Sequence, residues 1–238
     1  MREDDRKLFD LFWENSKFDE ARMPRLQKMI DENDPRDAGR ILEYPGAPVP
    51  LHMPEDSLQS LFNRRKSGRV FSDAPLTARQ LGGLFAAFAE KPSGHRVAPS
   101  AGGKFPVHTY AFLLRAQPPF DQALVYHQPD AHALTVVGDC PPWEQLNRVC
   151  NAYPEAGQPA AVFVFTGFIE QTGRKYGARA GRFMLQECGH YAQNLALRMA
   201  EEGLQGYECG GVLDNEMKRL LGLEGTSGYI LLAMLCGK

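Results

Sequence analysis

The 238-residue sequence lacks the features that mark several large classes of protein. No apolar run approaches the ~20 residues of a membrane-spanning helix, and the polar N-terminus does not resemble a signal peptide. The net charge of −2 and the isoelectric point near 6.3 give no electrostatic reason to expect a nucleic-acid partner. These absences predict a protein that binds neither membranes nor nucleic acid.

Cysteine is scarce, and several catalytic motifs are missing. The five cysteines never form a CxxC pair, which argues against a zinc site or a disulfide framework and favours a cytoplasmic location. The sequence contains no GxGxxG, GxxxxGK[ST], HExxH or GxSxG motif. We therefore expect no metal site, no Rossmann dinucleotide site and no serine-nucleophile elbow.

The most regular stretch runs from residue 174 to residue 203. Its apolar side chains recur every three to four residues up to Gly203, which predicts one unbroken helix about 45 Å long. Cations crowd its first turns, where the helix dipole disfavours them, so they indicate either a solvated basic face or a functional site. We interpret His190, on the same helix, as a packed core histidine rather than a catalyst.

Shorter patterns divide the remaining chain. We predict helices over 4–15, 25–32, 55–65, 77–89 and 214–221, and strands over 107–115, 123–127, 133–137, 160–168 and 229–236. Strands come in clusters without regular βαβ alternation, which favours an α+β fold with a largely antiparallel sheet. Residues 1–54 read as an N-terminal arm lying on the body, and residues 55–238 as one domain.

Two segments have the composition of a ligand-binding site. Arg65, Lys66, Ser67 and Arg69 follow a predicted helix and could converge on a phosphate, or could simply be a solvated helix end. The small residues of 100–103 would let a ligand approach backbone donors closely, or could form an ordinary loop. Both alternatives stay open on the residues alone.

Four motifs in order resemble those of a known family. R-K-S-G-R-V-F at 65–71 and P-S-A-G-G-K-F-P at 99–106 resemble signatures of nitroreductase-like FMN flavoproteins, the second from their SagB-type azoline dehydrogenase branch. K-Y-G-x-R-x-x-R-F at 175–183 and E-C-G-H-x-x-Q-N at 187–194 resemble the long helix of that branch. Cys188 departs from it, since proline is common there, and this puts the shape of the substrate pocket in doubt.

The resemblance implies a nitroreductase-like α+β fold, with a mostly antiparallel sheet, one long central helix and FMN at a homodimer interface. It also implies sites for the flavin. Arg65, Lys66, Ser67 and Arg69 would hold the phosphate and the flavin edge, and Ser100, Ala101 and Gly102 would line the flavin from the other subunit. Weaker expectations of cofactor contact fall on Gln193, Asn194, Gly210, Gly211 and Lys238.

The implied activity is oxidation of thiazoline or oxazoline rings in a peptide or carrier-bound intermediate, alone or within a biosynthetic synthetase complex. Lys175 and Tyr176 would be the proton-transfer pair, because an ammonium group beside a phenol favours its deprotonated form. A purely structural pair would instead place the Tyr176 ring against Phe183 and Lys175 in solvent. Residues 1–54 are expected to contact a partner or the substrate.

Two other functions remain open on the sequence. One is an NAD(P)H-dependent reductase of nitro groups, quinones or dehydroamino acids on the same fold, since fold does not fix function. The other is a non-catalytic scaffold subunit, against which the cations at 65, 66 and 69 speak, because a scaffold has no need of a phosphate cradle.

Overall fold

A computed structural model of the chain describes residues 3–32, 44–152 and 156–238. Residues 33–43 of the predicted arm lie outside the described residues. The helices are α1 (Glu3–Ser16), α2 (Met23–Asp31), α3 (Ser57–Arg64), α4 (Ala78–Phe85), α5 (Trp143–Cys150), α6 (Glu170–Tyr176), α7 (Ala180–Glu201) and α8 (Asp214–Leu220). The strands are β1 (Val107–Leu113), β2 (Ala123–Gln128), β3 (Ala133–Asp139), β4 (Ala161–Gly167), β5 (Gln205–Cys209) and β6 (Tyr229–Gly237).

The six strands form one antiparallel sheet in the order β3-β2-β1-β4-β6-β5. β4 lies inside the sheet and is buried along its whole length. Its alternate residues face two separate cores: Phe163 and Phe165 point to the α7 side, and Val162 and Val164 to the α8 side. Helices therefore cover both faces of the sheet, and the predicted α+β fold with an antiparallel sheet is confirmed.

Two of the predicted helices begin next to residues whose polar side chains cap the first turn. Thr77 caps α4 by accepting a hydrogen bond from the backbone N–H of Gln80, whose side chain accepts one from the backbone N–H of Thr77. Asp56 caps α3 through the N–H of Gln59, so this helix starts two residues later than the predicted 55.

The long helix is broken, contrary to the prediction of one rod over 174–203. α6 ends at Tyr176, Gly177 takes φ 57° and ψ −141°, and a 3₁₀ turn over Gly177–Arg179 leads into α7. Only glycine adopts that backbone conformation readily, so the break depends on Gly177. α7 remains the longest element of the described chain, and it ends just before Gly203 as expected.

Two elements escaped the sequence patterns. α5 is only eight residues long and lies between two prolines and Asn151, too short for a clear helical period. The sequence patterns did not indicate β5, because glycines lie within it and on both sides of it. Gly206 is required there because a Cβ would overlap the carbonyl oxygen of Leu235 on β6. The close approach of a neighbouring strand thus explains a glycine that otherwise indicated a loop.

The N-terminal segment divides into a docked part and an exposed part. Phe9 and Trp13 of α1 are buried, and both rings pack against Tyr229 of β6. Residues 44–56, in contrast, are exposed throughout, with Leu51 at 92%, so this part of the arm does not lie on the body as predicted.

Candidate functional site

A pocket of about 270 Å³ lies where the segment after α3 meets β5 and the C-terminal half of α7. Four residues predicted to bind phosphate line it: Arg65, Lys66, Ser67 and Arg69. Gln193 of α7 also lines this pocket. Three cations and a hydroxyl group around one small cavity suit an anionic phosphate ester, and the single carboxylate there is Glu208.

The backbone of the cationic segment is held against β5. Ser67 forms a parallel bridge with Gly206, and the N–H of Gly68 donates to the carbonyl of Gly206 at 3.1 Å. A side chain on Gly68 would overlap the side chain of Gln205, whose amide donates to the carbonyl of Val70. This anchoring holds the cations at the pocket in defined positions.

A second cluster forms where α6 ends. The Nζ atom of Lys175 and the Oη atom of Tyr176 each lie 2.7 Å from the point where a Cβ on Gly102 would be. The Lys175 ammonium also lies 5.3 Å from the centroid of the Tyr176 ring. The two polar ends therefore converge beside Gly102, although neighbouring helical side chains normally diverge by about 100°.

This convergence goes beyond the purely structural alternative. As that alternative expects, the Tyr176 ring packs edge-on against Phe183 with centroids 5.0 Å apart, and Lys175 is exposed. The structural alternative does not explain why the phenol and ammonium groups converge at the tip of the Ser100–Gly103 loop. The Gly177 break lets the helix turn away at this point and leaves the two groups facing the loop.

Several predicted cofactor contacts lie apart from both clusters. Asn194 lines a groove between α3 and α7, where its amide donates to the carbonyl of Ala87 at 3.4 Å. Gly210 lines a small cavity beside Trp13, and Gly211 lies against Asn151. The carbonyl of Lys238 accepts a hydrogen bond from the N–H of Ser72. Within one chain these four residues do not join the cationic pocket.

His190 also differs from its prediction. It is exposed on α7 rather than packed in the core. The polar residue that the buried stripe of α7 does carry is Glu187, between Met184 and Tyr191, and its side chain is only 2% exposed.

Sequence reasoning missed further residues of both clusters. Gln205, Tyr207 and Glu208 line the cationic pocket from β5, the strand that its glycines concealed. Glu187 and Arg96 flank the Ser100–Gly103 loop, and burial raises the pKa of Glu187. A signal for Glu187 was present, because the helical period places its carboxylate on an otherwise apolar stripe.

The two clusters lie at opposite ends of α7. The cationic pocket is lined by Ala196 and Met199, whereas Lys175 and Tyr176 precede Ala180 at the start of the helix. The sixteen residue steps from Ala180 to Ala196 correspond to about 24 Å of helix. One chain therefore presents two separate polar clusters.

Other kinds of site find no support in the parts of the chain that the structure covers. Over residues 3–32, 44–152 and 156–238, no group of three His, Cys, Asp or Glu side chains could hold a metal ion. None of the described helices is both long and apolar enough to cross a membrane.

Comparison with known proteins adds independent findings. A profile of the nitroreductase family matches residues 63–238. A Methanocaldococcus jannaschii protein that carries the name nitroreductase is 28% identical over 186 residues, which cover 77% of this chain and 92% of that protein.

Solved structures share the fold at low sequence identity. A chain of the E. coli microcin synthetase McbBCD complex with truncated pro-MccB17 bound gives a TM-score of 0.70 at 22% identity, covering 95% of this chain and 85% of that one. A protein of Ralstonia eutropha named as a nitroreductase gives 0.66 at 22% identity, covering 80% and 87%. The NADPH:FMN oxidoreductase from Vibrio harveyi, complexed with NAD+, gives 0.53 at 17% identity, covering 76% and 68%.

Proposed function

Because this chain belongs to the nitroreductase family of flavin-dependent oxidoreductases, we propose that it is an FMN-dependent dehydrogenase that oxidises azoline rings. The substrate class is a thiazoline or oxazoline within a peptide or a carrier-bound intermediate, and the product is the thiazole or oxazole. The observation that carries this proposal is the convergence of Lys175 Nζ and Tyr176 Oη beside Gly102. Azoline oxidation needs a base beside the substrate, and these two groups can supply one.

The residues of the cationic pocket fit FMN. Arg65, Lys66 and Arg69 would pair with the phosphate, and the Ser67 hydroxyl would donate a hydrogen bond to it. A cavity of 270 Å³ is small for a whole flavin, so the ring system would extend out of this pocket. When bound, FMN supplies an acceptor for the hydride that leaves the azoline ring.

Lys175 and Tyr176 account for the remaining proton. Aromatising an azoline removes a hydride from one ring carbon and a proton from its neighbour, and the proton needs a base within hydrogen-bond reach. The two side-chain ends lie together at a glycine, where the missing Cβ leaves room for both of them. Either group, once deprotonated, can take the proton, and the ammonium stabilises the phenolate.

A homodimer would bring the two halves of the site together. Because the two clusters lie at opposite ends of α7, the Lys175–Tyr176 cluster of one subunit would serve the cationic pocket of the other. α7 offers a face for the contact, with Arg182, Leu185, Gln186, Gly189, His190 and Gln193 exposed. A side chain on Gly189 would meet nothing within 4 Å, so a second helix could approach the backbone there.

The setting of the reaction is part of the proposal. One solved structure with this fold lies in a microcin synthetase complex with truncated pro-MccB17 bound, so the fold is compatible with such an assembly. At 22% identity that likeness speaks for the fold alone. The substrate class assigned to this chain therefore rests on Lys175, Tyr176 and the loop beside them.

A second candidate is an NAD(P)H-dependent reductase. It is favoured by the name of the M. jannaschii protein, which this chain covers almost completely. Both candidates require FMN, so the choice depends on which compound reduces the flavin.

The test follows flavin absorbance after anaerobic mixing. We expect the purified protein to show flavin bands that bleach when a thiazoline-containing peptide is added, with the thiazole as product. Rapid bleaching by NADPH together with none by the azoline peptide would reverse the choice. A protein with no flavin bands, even after incubation with FMN, would contradict both candidates.

A further inference from the structure

The loop between Ser100 and Val107 is held in an unfavourable backbone conformation. Gly102, Gly103 and Phe105 have φ values of 61°, 65° and 45°. Glycine accepts positive φ at little cost, but for a bulky residue such as Phe105 it is a rare and costly conformation. Something must hold this loop, and its tip is where Lys175 and Tyr176 meet Gly102.

One buried carboxylate contacts both ends of the loop. The Oε1 atom of Glu187 accepts a hydrogen bond from the backbone N–H of Val107 at 3.4 Å, and the Ser100 hydroxyl lies close enough to Glu187 to favour its charged form. The Ser100 Oγ atom in turn accepts the N–H of Phe105 at 2.8 Å, so its own hydroxyl proton is left to donate to the carboxylate.

Charged and aromatic groups enclose the same loop. The Arg96 guanidinium lies 4.3 Å above the Phe105 ring, and one of its nitrogens donates to the Tyr191 hydroxyl at 3.4 Å. Burial raises the pKa of Glu187, while the hydrogen bonds from Ser100 and Val107 and the charge of Arg96 oppose that rise. Glu187 is otherwise surrounded by apolar core, and its Oε2 atom has no hydrogen-bond partner among the described residues.

We infer that Glu187 is a positioning residue, which clamps both ends of the Ser100–Val107 loop and so holds Gly102 against Lys175 and Tyr176. The inference rests on the proposed function for the role of that pair, but the clamp is a property of the folded chain. Its function is to fix the position of Gly102, and with it the place where the phenol and ammonium groups meet. A buried carboxylate suits this role because hydrogen bonds to a charged acceptor are stronger away from solvent.

The first test measures the loop itself by hydrogen exchange of the FMN-loaded protein, without substrate. In Glu187→Leu we expect the amides of 100–107 to exchange at least about tenfold faster, as expected for lost hydrogen bonds to a charged acceptor. Glu187→Gln retains a carbonyl acceptor and should stay closer to wild type than Glu187→Leu. Glu144→Leu makes the same change at an exposed position on α5 and should leave the loop unaffected.

The second test measures turnover on the azoline peptide with the same samples. We expect kcat in Glu187→Leu to fall about tenfold or more at unchanged FMN content, with partial rescue in Glu187→Gln. If Glu187 were only structural, its replacement would lower the yield or the melting temperature of the protein. The kcat of the folded protein would then not differ between Glu187→Leu and Glu187→Gln. Where Glu187→Leu fails to fold, Ser100→Ala removes one end of the clamp and should loosen the same amides.

The outcomes separate the inference from the proposed function. Unchanged exchange of 100–107 in Glu187→Leu, or equal loosening in Glu187→Gln and Glu187→Leu, would overturn the clamp. A wild-type protein that oxidises no azoline would refute the proposed function, while the exchange result would still decide whether Glu187 holds the loop.

Discussion

At the scale of single residues, the site depends on where a few polar side-chain ends meet. Lys175 and Tyr176 are adjacent in the sequence, and in a continued helix they would face different directions. Here both reach the Gly102 tip, because α6 stops at Tyr176. At the other end of α7, Arg65, Lys66 and Arg69 surround a single small cavity. Each cluster supports its own prediction.

If Lys175 and Tyr176 transfer the proton, replacing either one should lower the rate of turnover without a loss of flavin. Lys175→Ala and Tyr176→Phe should each lower turnover of an azoline peptide by about 10², the usual scale for losing a general base. The flavin content should be unchanged, because the cationic pocket lies elsewhere on the chain. Turnover and flavin absorbance are to be measured on the same samples. Near-normal turnover in both variants would contradict the assigned roles.

For the cationic pocket we predict the reverse, a loss of flavin binding. Arg69→Ala removes a charge-assisted contact worth roughly 1.5–3 kcal/mol, so the affinity for FMN should fall at least about tenfold. Arg79→Ala removes a largely exposed arginine on α4 and serves as the control. Titration of the apoprotein with FMN, followed by fluorescence, gives both dissociation constants. Equal values for the two variants would place the phosphate somewhere else.

At the scale of elements, the sequence was most informative where a pattern is long or has a distinct cap. Five strands, the start of α4 at Thr77 and the glycine after α7 were predicted, because each depends on local chemistry. The cluster of cations at 65–69 was also visible in the composition, and the structure brings these residues to one pocket. The break at Gly177 could not be read from the sequence, since the apolar spacing continues across it. Nor could Arg96, whose importance comes from packing across the chain, whereas Glu187 stands out in the sequence as a carboxylate on an apolar helical stripe.

The break between α6 and α7 makes a prediction of its own. Gly177→Ala forces a Cβ into φ 57°, ψ −141°, which should cost about 1–3 kcal/mol of unfolding free energy. It should also displace Lys175 and Tyr176 and lower turnover. Gly82→Ala, within α4 and with nothing near the new Cβ, should instead stabilise by up to ~1 kcal/mol. Urea unfolding checks both signs, and a stable Gly177→Ala would show that the break tolerates a side chain.

At the scale of the whole molecule, the core contains ionisable groups that couple stability to pH. Burial lowers the pKa of His127 to about 4, with His132 and Arg96 adding to the effect. Burial raises the pKa of Asp214 to about 6, and this acts in the opposite direction on stability. The pH dependence of unfolding is therefore a sum, from which one group must be isolated by substitution.

His127 gives the corresponding prediction. Its pKa is lower in the folded state, so the unfolded chain binds the proton first as the pH falls. The neutral imidazole of His127 therefore contributes fully to the free energy of unfolding above pH 6.5. This contribution is lost as the pH falls towards 4. From 6.5 to about 4 the loss is on the order of 3 kcal/mol, because one pKa unit corresponds to about 1.4 kcal/mol. His127→Phe should lack this loss, and His95→Gln, at an exposed histidine, should retain it. Urea unfolding at several pH values tests the difference, and parallel curves for wild type and His127→Phe would refute it.

The strand order also bears on how the protein is made. β5 pairs with β6 alone among the described strands, and β6 inserts between β5 and β4. Because a ribosome delivers the chain from its amino end, β5 emerges before the neighbour that holds it. During synthesis, four strands can pair before β6 is made, through local hairpins and one longer connection: β3, β2, β1 and β4. β5 remains unpaired until β6 is available. The strand that bears Gln205, Tyr207 and Glu208 thus joins the sheet only with β6, and the cationic pocket is complete only after β6 has emerged.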